Sequence, residues 1–472
     1  MKNILIIGAG KSSSYLIKYL LDKSNEEDLR LTIADISTKN ALKLINHHKN
    51  AKAIILDVFN AFEREKEIKK TDLVISMLPA RFHTEVAKDC IRFQKHMVTA
   101  SYISEEMKAL DDAAKEKGLV FMNEIGLDPG LDHMSAMQII DRIRENDAKM
   151  LLFESFCGGL VAPESDNNLW NYKFTWNPRN VVLAGQGGAA MFIQEGTYKY
   201  IPYHKLFRRT EFLKINNANY EAYANRDSLA YRSIYGLDTI ATMYRGTIRK
   251  VGFSRAWNIF VQLGMTDDSY TIEDSENMSY RDFVNLFLAY SPSDSVELKL
   301  RSYLKIDQDD VMWEKLIELD IFNPKKKIGL KNATPAQILQ KILLDSWTLQ
   351  EEEKDMIVMQ HLFGYEINGK KYQIESSLVV TGENQTYTAM AKTVGLPVAI
   401  AALKILKGEI TSPGVQRPIT KEVYEPILKE LEEHGIKFSE KKVPYLGYNP
   451  NPVSYTHLRA HETGRNLVCR LL

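Results

Sequence analysis

Residues 2–13 read Lys2-Asn3-Ile4-Leu5-Ile6-Ile7-Gly8-Ala9-Gly10-Lys11-Ser12-Ser13, and the fold is decided there. Ile4 to Ile7 form a short continuous apolar run, as expected of a parallel strand buried on both faces. The glycines follow at once, and then Tyr15, Leu16, Tyr19 and Leu20 recur at helical spacing. Gly8, Ala9, Gly10, Lys11, Ser12 and Ser13 therefore make a strand-to-helix turn. There, backbone N–H groups and the helix dipole can receive a pyrophosphate. The third glycine of the usual G-x-G-x-x-G pattern is replaced by Ser13, small enough that close helix–strand packing is strained but not forbidden. Alone, the motif is weak.

Context raises it. A second strand, Leu29 to Ala34, ends on Asp35, about where an acid that binds adenosine ribose hydroxyls is expected. A carboxylate there would repel a 2′-phosphate, so NAD is expected over NADP; the alternative for Asp35 is a helix cap, since Ser37 opens the next helix. Further strands read at Ala53–Leu56, Leu73–Met77, Met97–Thr99 and Leu119–Met122, with amphipathic helices between them. This alternation fills a doubly wound, Rossmann-type sheet over residues 1–125. The strands end at Asp57-Val58, at Ser76-Met77 and at Ala100-Ser101-Tyr102, where the ligand crevice of an open α/β sheet lies.

Past the sixth strand, Asn123 to His133 contains Gly126-Leu127-Asp128-Pro129-Gly130-Leu131-Asp132-His133, dense in carboxylates and turn residues. Asp128 reads as an active-site contact, while Asp132 serves equally well as a helix cap. Leu151 to Phe156 reads as a strand ending in Cys157-Gly158-Gly159, where glycine permits close approach of a ligand. Cys157 is a titratable candidate or a small buried hydrophobe. Tyr172 to Trp176 is aromatic enough to wall a pocket or to belong to core. Arg226, in Asn225-Arg226-Asp227-Ser228, and Arg249, in Arg245-Gly246-Thr247-Ile248-Arg249, supply guanidiniums beside turn-forming residues. Paired arginines suit a polycarboxylate substrate.

Residues 266–352 carry helical patterns without strands between them. Strands then return at Asp355–Met359, and Phe363–Glu366 pairs with Tyr372–Val380 through Asn368-Gly369. The fold class expected is α/β: a Rossmann-type sheet plus an α+β substrate and dimerisation domain with an α-helical insert. The first domain is 1–125, completed by about 388–423. The second is 126–265 with 353–387 and about 424–452, and the helical insert is 266–352.

Lys plus Arg equals Asp plus Glu at 61 each, which excludes a long-range field for nucleic acid or an anionic membrane. The apolar run that stops at Gly8 is too short for a signal peptide. No stretch approaches the roughly 18 apolar residues of a transmembrane helix. Cys90, Cys157 and Cys469 are too scattered for a disulfide framework or a zinc site, so no metal is expected and a reducing cytoplasm fits. From Val453 the chain reads VSYTHLRAHET, GRN and LVCRLL, similar to translated sequencing-adapter DNA. Residues 453–472 are therefore expected to be non-native, and Cys469, His457 and His461 are set aside.

The motifs LVISMLP, VTASY, NEIGLDPGLDH, ESFCGGL, YKFTW, NRDS, RGTIR, EEEKDMIVM and AKTVGLP, in this order, resemble the glutamate-forming saccharopine dehydrogenases. The resemblance runs from Met1 to about Phe438 and extends to the dehydrogenase half of aminoadipic semialdehyde synthase. It implies oxidation of saccharopine by a nicotinamide nucleotide to glutamate and 2-aminoadipate 6-semialdehyde, or the reverse, in lysine metabolism. It implies substrate contacts on Ser101, Tyr102, Asp128, Arg226, Thr247, Ile248 and Arg249. It places cofactor contacts on Gly8 to Ser13, Asp35, Asp57, Val58, Ser76, Met77, Ala100, Gly126 to His133 and Trp176. Tyr102, Asp128 and Cys157 are the groups expected near the reacting nitrogen, and a homodimer is the expected assembly. The alternatives are a related imine-reducing dehydrogenase, such as one acting on carboxynorspermidine, and a non-catalytic NAD-binding sensor. Paired arginines argue against a polyamine substrate.

Overall fold

The computed structural model describes residues 1–447; the expectations for 453–472 lie outside them. The chain divides into two compact units. One comprises 1–149, 354–357 and 378–439, and the other 150–353, 358–377 and 440–447.

The first unit alternates β1 (Lys2–Ile7), α1 (Ser14–Lys23), β2 (Leu29–Asp35), α2 (Thr38–Ile45), β3 (Ala51–Ile55), α3 (Ala61–Lys69), β4 (Leu73–Ser76), α4 (His83–Phe93) and β5 (His96–Val98). It continues with α5 (Glu105–Lys108), α6 (Asp111–Glu116), β6 (Val120–Met122) and α7 (Leu131–Arg144). The second unit follows through β7 (Lys149–Val161), α8 (Pro178–Val182), β8 (Ala190–Gln194), β9 (Thr197–Ile201), α9 (Tyr203–Leu206), β10 (Thr210–Ile215), β11 (Ala218–Ala224) and β12 (Thr242–Lys250). Five helices come next: α10 (Phe253–Leu263), α11 (Tyr280–Asn285), α12 (Val296–Leu304), α13 (Val311–Glu318) and α14 (Pro335–Trp347). The chain closes with β13 (Asp355–Ile367), β14 (Lys370–Thr381), α15 (Ala389–Lys407), β15 (Gly414–Gln416), α16 (Lys421–Glu433) and β16 (Ser439–Pro444).

The first sheet has the order β15-β6-β5-β4-β1-β2-β3 and is parallel throughout. Ile4, Leu5 and Ile6 are fully buried because helices cover both faces. Six of its strands are those read from the sequence; the seventh, β15, brings the late segment of the chain back beside β6. α15 packs on α1, and α16 packs on α7. At 19 residues, α15 is long and apolar enough to cross a membrane by length and composition, contrary to the sequence reading, but most of it is buried in this unit.

The boundaries therefore differ from those expected. α7 and α16 belong with the first sheet, because α7 turns its buried face (Met134, Ala136, Ile139, Ile140, Ile143) inward there. The helices of 266–352 cluster with the second sheet instead of standing apart.

The second sheet runs β10-β11-β12-β7-β13-β14-β16, with β8 paired to β12 and β9 to β8. Here β7 does not stop at Phe156: Cys157, Gly158 and Gly159 lie inside the strand. A Cβ on Gly158 would meet the Ile248 carbonyl oxygen at 2.5 Å, so the glycine serves the close approach of β7 to β12 rather than of a ligand. Tyr172 and Phe174 are core, packed on Trp347.

Candidate active site

In the first unit the candidate side chains gather at the carboxyl ends of the parallel strands. Gly8 has φ +108°, and a Cβ there would stand 2.7 Å from the Met77 carbonyl oxygen, so the turn requires glycine. Gly10 is different: a Cβ would meet nothing within 4 Å, and its face of the turn is open. The helical segment starts at Lys11, and a helix start leaves its first N–H groups without internal carbonyl partners. Ser13, in place of the third glycine, is buried and donates its hydroxyl to the Gly10 carbonyl at 2.7 Å. An open glycine facing unsatisfied N–H groups fits a pyrophosphate.

Asp35 ends β2, but its carboxylate is turned back on the turn. Oδ2 accepts from the Ala9 N–H at 2.7 Å and Oδ1 from the Ser37 N–H at 3.4 Å. Asp57 is exposed and accepts from the Phe59 N–H at 3.0 Å, while Val58 is buried beside it.

The ends of β5 and β6 are laced together. Glu124 N–H donates to the Ser101 carbonyl at 3.0 Å, and the Glu124 carboxylate accepts from the Ile103 N–H at 3.0 Å. This seam brings the exposed Tyr102 hydroxyl to 3.5 Å from Asp128 Oδ1. Ala100 sits under Gly126, where a Cβ would come within 2.9 Å of the alanine methyl. Gly130 has φ +142° and a Cβ there would overlap Gly126 outright.

The remaining polar groups of this loop face inward. Asp132 and His133 are buried; Asp132 accepts from the Gly130 N–H at 2.6 Å, and His133 Nε2 lies 3.0 Å from Glu124 Oε2. Glu124 also takes Arg417 Nε at 2.9 Å. Burial works against its ionisation, but the His133 hydrogen bond, the charges of His133 and Arg417 and the Ile103 N–H hold its carboxyl below the usual range. Asp132 and His133 thus shape the loop, leaving the half-buried Asp128 as its outward part.

In the second unit, register aligns four residues. Cys157 of β7 and Tyr223 of β11 both pair with Thr247 of β12, and Arg249 follows two residues along on the same face. Ile248 points to the other face and is fully buried. The Arg249 guanidinium is buried among Tyr172, Tyr223 and Phe253, with ring centroids at 5.1, 5.7 and 5.3 Å. It donates to the Ile248 carbonyl at 2.9 Å and to the Tyr223 hydroxyl at 3.3 Å, while its Nε has no partner among the described residues. Its cross-strand neighbour Glu221 is spent elsewhere, on the N–H groups of Gly252 and Ser254. Arg226, just beyond β11, is exposed and held with φ +43°. Trp176 is half-buried.

Sequence reasoning missed His83. It stands at the start of α4, buried, with Nδ1 2.8 Å from Ser76 Oγ and Nε2 2.6 Å from Ser101 Oγ. A serine-to-histidine spacing of seven has no periodic signal; only the adjacency of strand ends makes the contact.

The saccharopine dehydrogenase NADP binding domain matches residues 4–122, and the saccharopine dehydrogenase C-terminal domain matches residues 126–436. The chain belongs to the saccharopine dehydrogenase family. It is 33% identical over 463 residues to the saccharopine dehydrogenase (NADP+, L-glutamate-forming) of Pyricularia oryzae, covering 94% of this chain and 99% of that one. It is 34% identical over 448 residues to the mitochondrial alpha-aminoadipic semialdehyde synthase of Mus musculus, covering 93% of this chain and about half, 47%, of that protein's length. The structure of apo saccharopine dehydrogenase (L-Glu forming) from Saccharomyces cerevisiae superposes with a TM-score of 0.84 at 32% identity, covering 94% of this chain and all of that one.

The family corrects one expectation. Its cofactor domain is an NADP-binding domain, and fungal relatives are NADP+ enzymes, against the preference for NAD drawn from Asp35. The physical reason lies in the Asp35 hydrogen bonds: a carboxylate engaged by the Ala9 and Ser37 N–H groups is a brace for the turn, not a free charge awaiting a ribose.

Proposed function

We propose that this chain is an NADP-dependent saccharopine dehydrogenase that releases L-glutamate and 2-aminoadipate 6-semialdehyde, or runs the reverse. Family membership supports the reaction type. The observation that carries the substrate is Arg249, a buried cation caged by aromatic rings and paired with no carboxylate among the described residues. A buried guanidinium calls for an anion, and saccharopine carries three carboxylates. The exposed Arg226 offers a second guanidinium in the same unit, with Thr247 as a neutral partner.

The nucleotide would rest on Gly8–Ser13, Ser76-Met77 and the Gly126–Leu127 backbone, and it supplies the hydride acceptor. What remains for the chain is proton handling. The secondary amine must be neutral before hydride leaves, and hydrolysis of the resulting imine needs an activated water and a protonated nitrogen. Tyr102 and Asp128, within 3.5 Å of one another at the open end of the sheet, are the pair we assign to these transfers. Cys157, beside Thr247, is held as a second-unit candidate. The buried thiols Cys90 and Cys157, neither of them in a disulfide, fit a reducing setting.

The test is direct. Purified protein with saccharopine and NADP should generate reduced-nicotinamide absorbance and glutamate in equal amounts. Tight NADP binding without turnover of saccharopine, in either direction, would sink the reading.

A further inference from the structure

Ser76 and Ser101 end adjacent segments of the first sheet, and the side chain of His83 spans the gap between them. One ring nitrogen reaches each hydroxyl, at 2.8 and 2.6 Å. His83 and Ser76 are buried, and Ser101 is half-buried. The two serines face different tasks. Ser76 pairs with Ile7 of β1, and the next residue, Met77, packs its carbonyl under Gly8, so Ser76 belongs to the wall of the nucleotide turn. Ser101 belongs to the seam that carries Tyr102 toward Asp128.

A neutral imidazole has one N–H donor and one bare nitrogen acceptor. With a hydroxyl on each nitrogen, one serine must donate to the ring and the other must accept from it. Burial holds the ring's pKa down at about 4, which keeps it neutral at physiological pH. The hydroxyl polarities of Ser76 and Ser101 are therefore not independent: reversing one reverses the other through the tautomer.

We propose that His83 is a positioning residue that fixes which way the Ser101 hydroxyl points toward substrate, and couples that choice to the nucleotide side of the sheet through Ser76. The inference rests on the reading of Ser101 as a substrate contact. When Ser101 donates to Nε2, it presents only lone pairs outward and suits an ammonium group of an amino-acid substrate. When it accepts from Nε2, its own proton is free for a carboxylate. No charge or bond changes; the ring supplies only orientation.

The experiment is a double-mutant cycle on the intact protein, with saccharopine and NADP, beside the ring nitrogen NMR signals of His83. Ser101→Ala and His83→Ala should each raise KM for saccharopine about fivefold, the effect of one neutral hydrogen bond. The double variant should do no worse than either single one, since both act through the same hydroxyl. His83→Gln, which retains a donor and an acceptor, should recover part of the loss and serves if His83→Ala does not fold. Additive losses, or an unchanged KM for saccharopine in His83→Ala or His83→Gln, would overturn the assignment. The NMR arm needs no turnover: the ring should read neutral at neutral pH, and Ser76→Ala and Ser101→Ala should shift its tautomer ratio in opposite directions. A charged ring or an unmoved ratio also overturns it. Absence of wild-type turnover with the expected tautomer shifts would defeat the functional reading alone.

Discussion

The Asp35 carboxylate accepts the Ala9 backbone N–H at 2.7 Å, tying the end of β2 to the glycine turn 26 residues earlier. This bond gives Asp35 a structural role in the turn that does not depend on ribose contact. Asp35→Ala would leave the Ala9 N–H, at a buried residue, without its partner. A lost bond to a charged acceptor is worth about 1.5–3 kcal/mol, so NADP affinity should fall about tenfold or more. Asp35→Asn, which keeps one oxygen, should fall less. Isothermal titration with NADP checks both; equal, unchanged affinity in the two variants would show that the turn stands without the brace.

Arg226→Ala separates substrate from cofactor. The side chain is exposed, so its removal should leave thermal stability nearly unchanged. If it grips a carboxylate of saccharopine, KM for saccharopine should rise about tenfold or more, with KM for NADP constant. Initial rates at saturating levels of the other ligand decide it. A parallel rise of both constants would make the arginine structural.

Glu124 should shape the acid limb of stability. Its folded pKa is depressed by its partners despite burial, so the native state binds fewer protons than the unfolded chain around the carboxylate range. The stability it contributes is present above the unfolded value, about 4.3, and is lost as pH falls through the lower folded value. Glu124→Gln breaks the charge pair between buried Glu124 and half-buried Arg417 and should cost about 1.5–3 kcal/mol near neutrality. The penalty should shrink on acidification below about pH 4. Denaturant titrations across this range check the sign; a penalty that grows toward acid would refute it.

The parallel sheet was legible because strands buried on both faces read as apolar runs, and the glycine turn fixed their order of use. The three-residue β15 was not, since its place beside β6 depends on a chain return from beyond residue 377 that no local pattern announces. Gly158 misled for a related reason: glycine within a strand looks like an ending, and only the Ile248 carbonyl beside it shows why the strand continues. In the site, residue types on strand ends were readable, while their orientations were not. Asp132 reads equally as a cap or a ligand contact in sequence and His133 lies beside it, yet α7 begins there and turns both into the core. His83 was invisible because its partners come from two strands. Asp35 was placed correctly and its charge misread, because its hydrogen bonds to the turn and to Ser37 lie outside any one-dimensional motif.

Two glycines of the turn should respond differently to the same methyl. Gly8 lies at positive φ with the Met77 carbonyl oxygen 2.7 Å from a prospective Cβ, so Gly8→Ala combines backbone strain with a clash. It should destabilise the fold by about 2 kcal/mol or more. Gly10 has ordinary φ (−77°) and open space, so Gly10→Ala should fold with an unchanged melting temperature. Its added methyl instead occupies the open face where a pyrophosphate would approach the helix start, and NADP affinity should drop about tenfold or more. Thermal melts alongside NADP titration distinguish the two effects. A Gly10→Ala protein that binds NADP as wild type does would place the pyrophosphate elsewhere than on this turn.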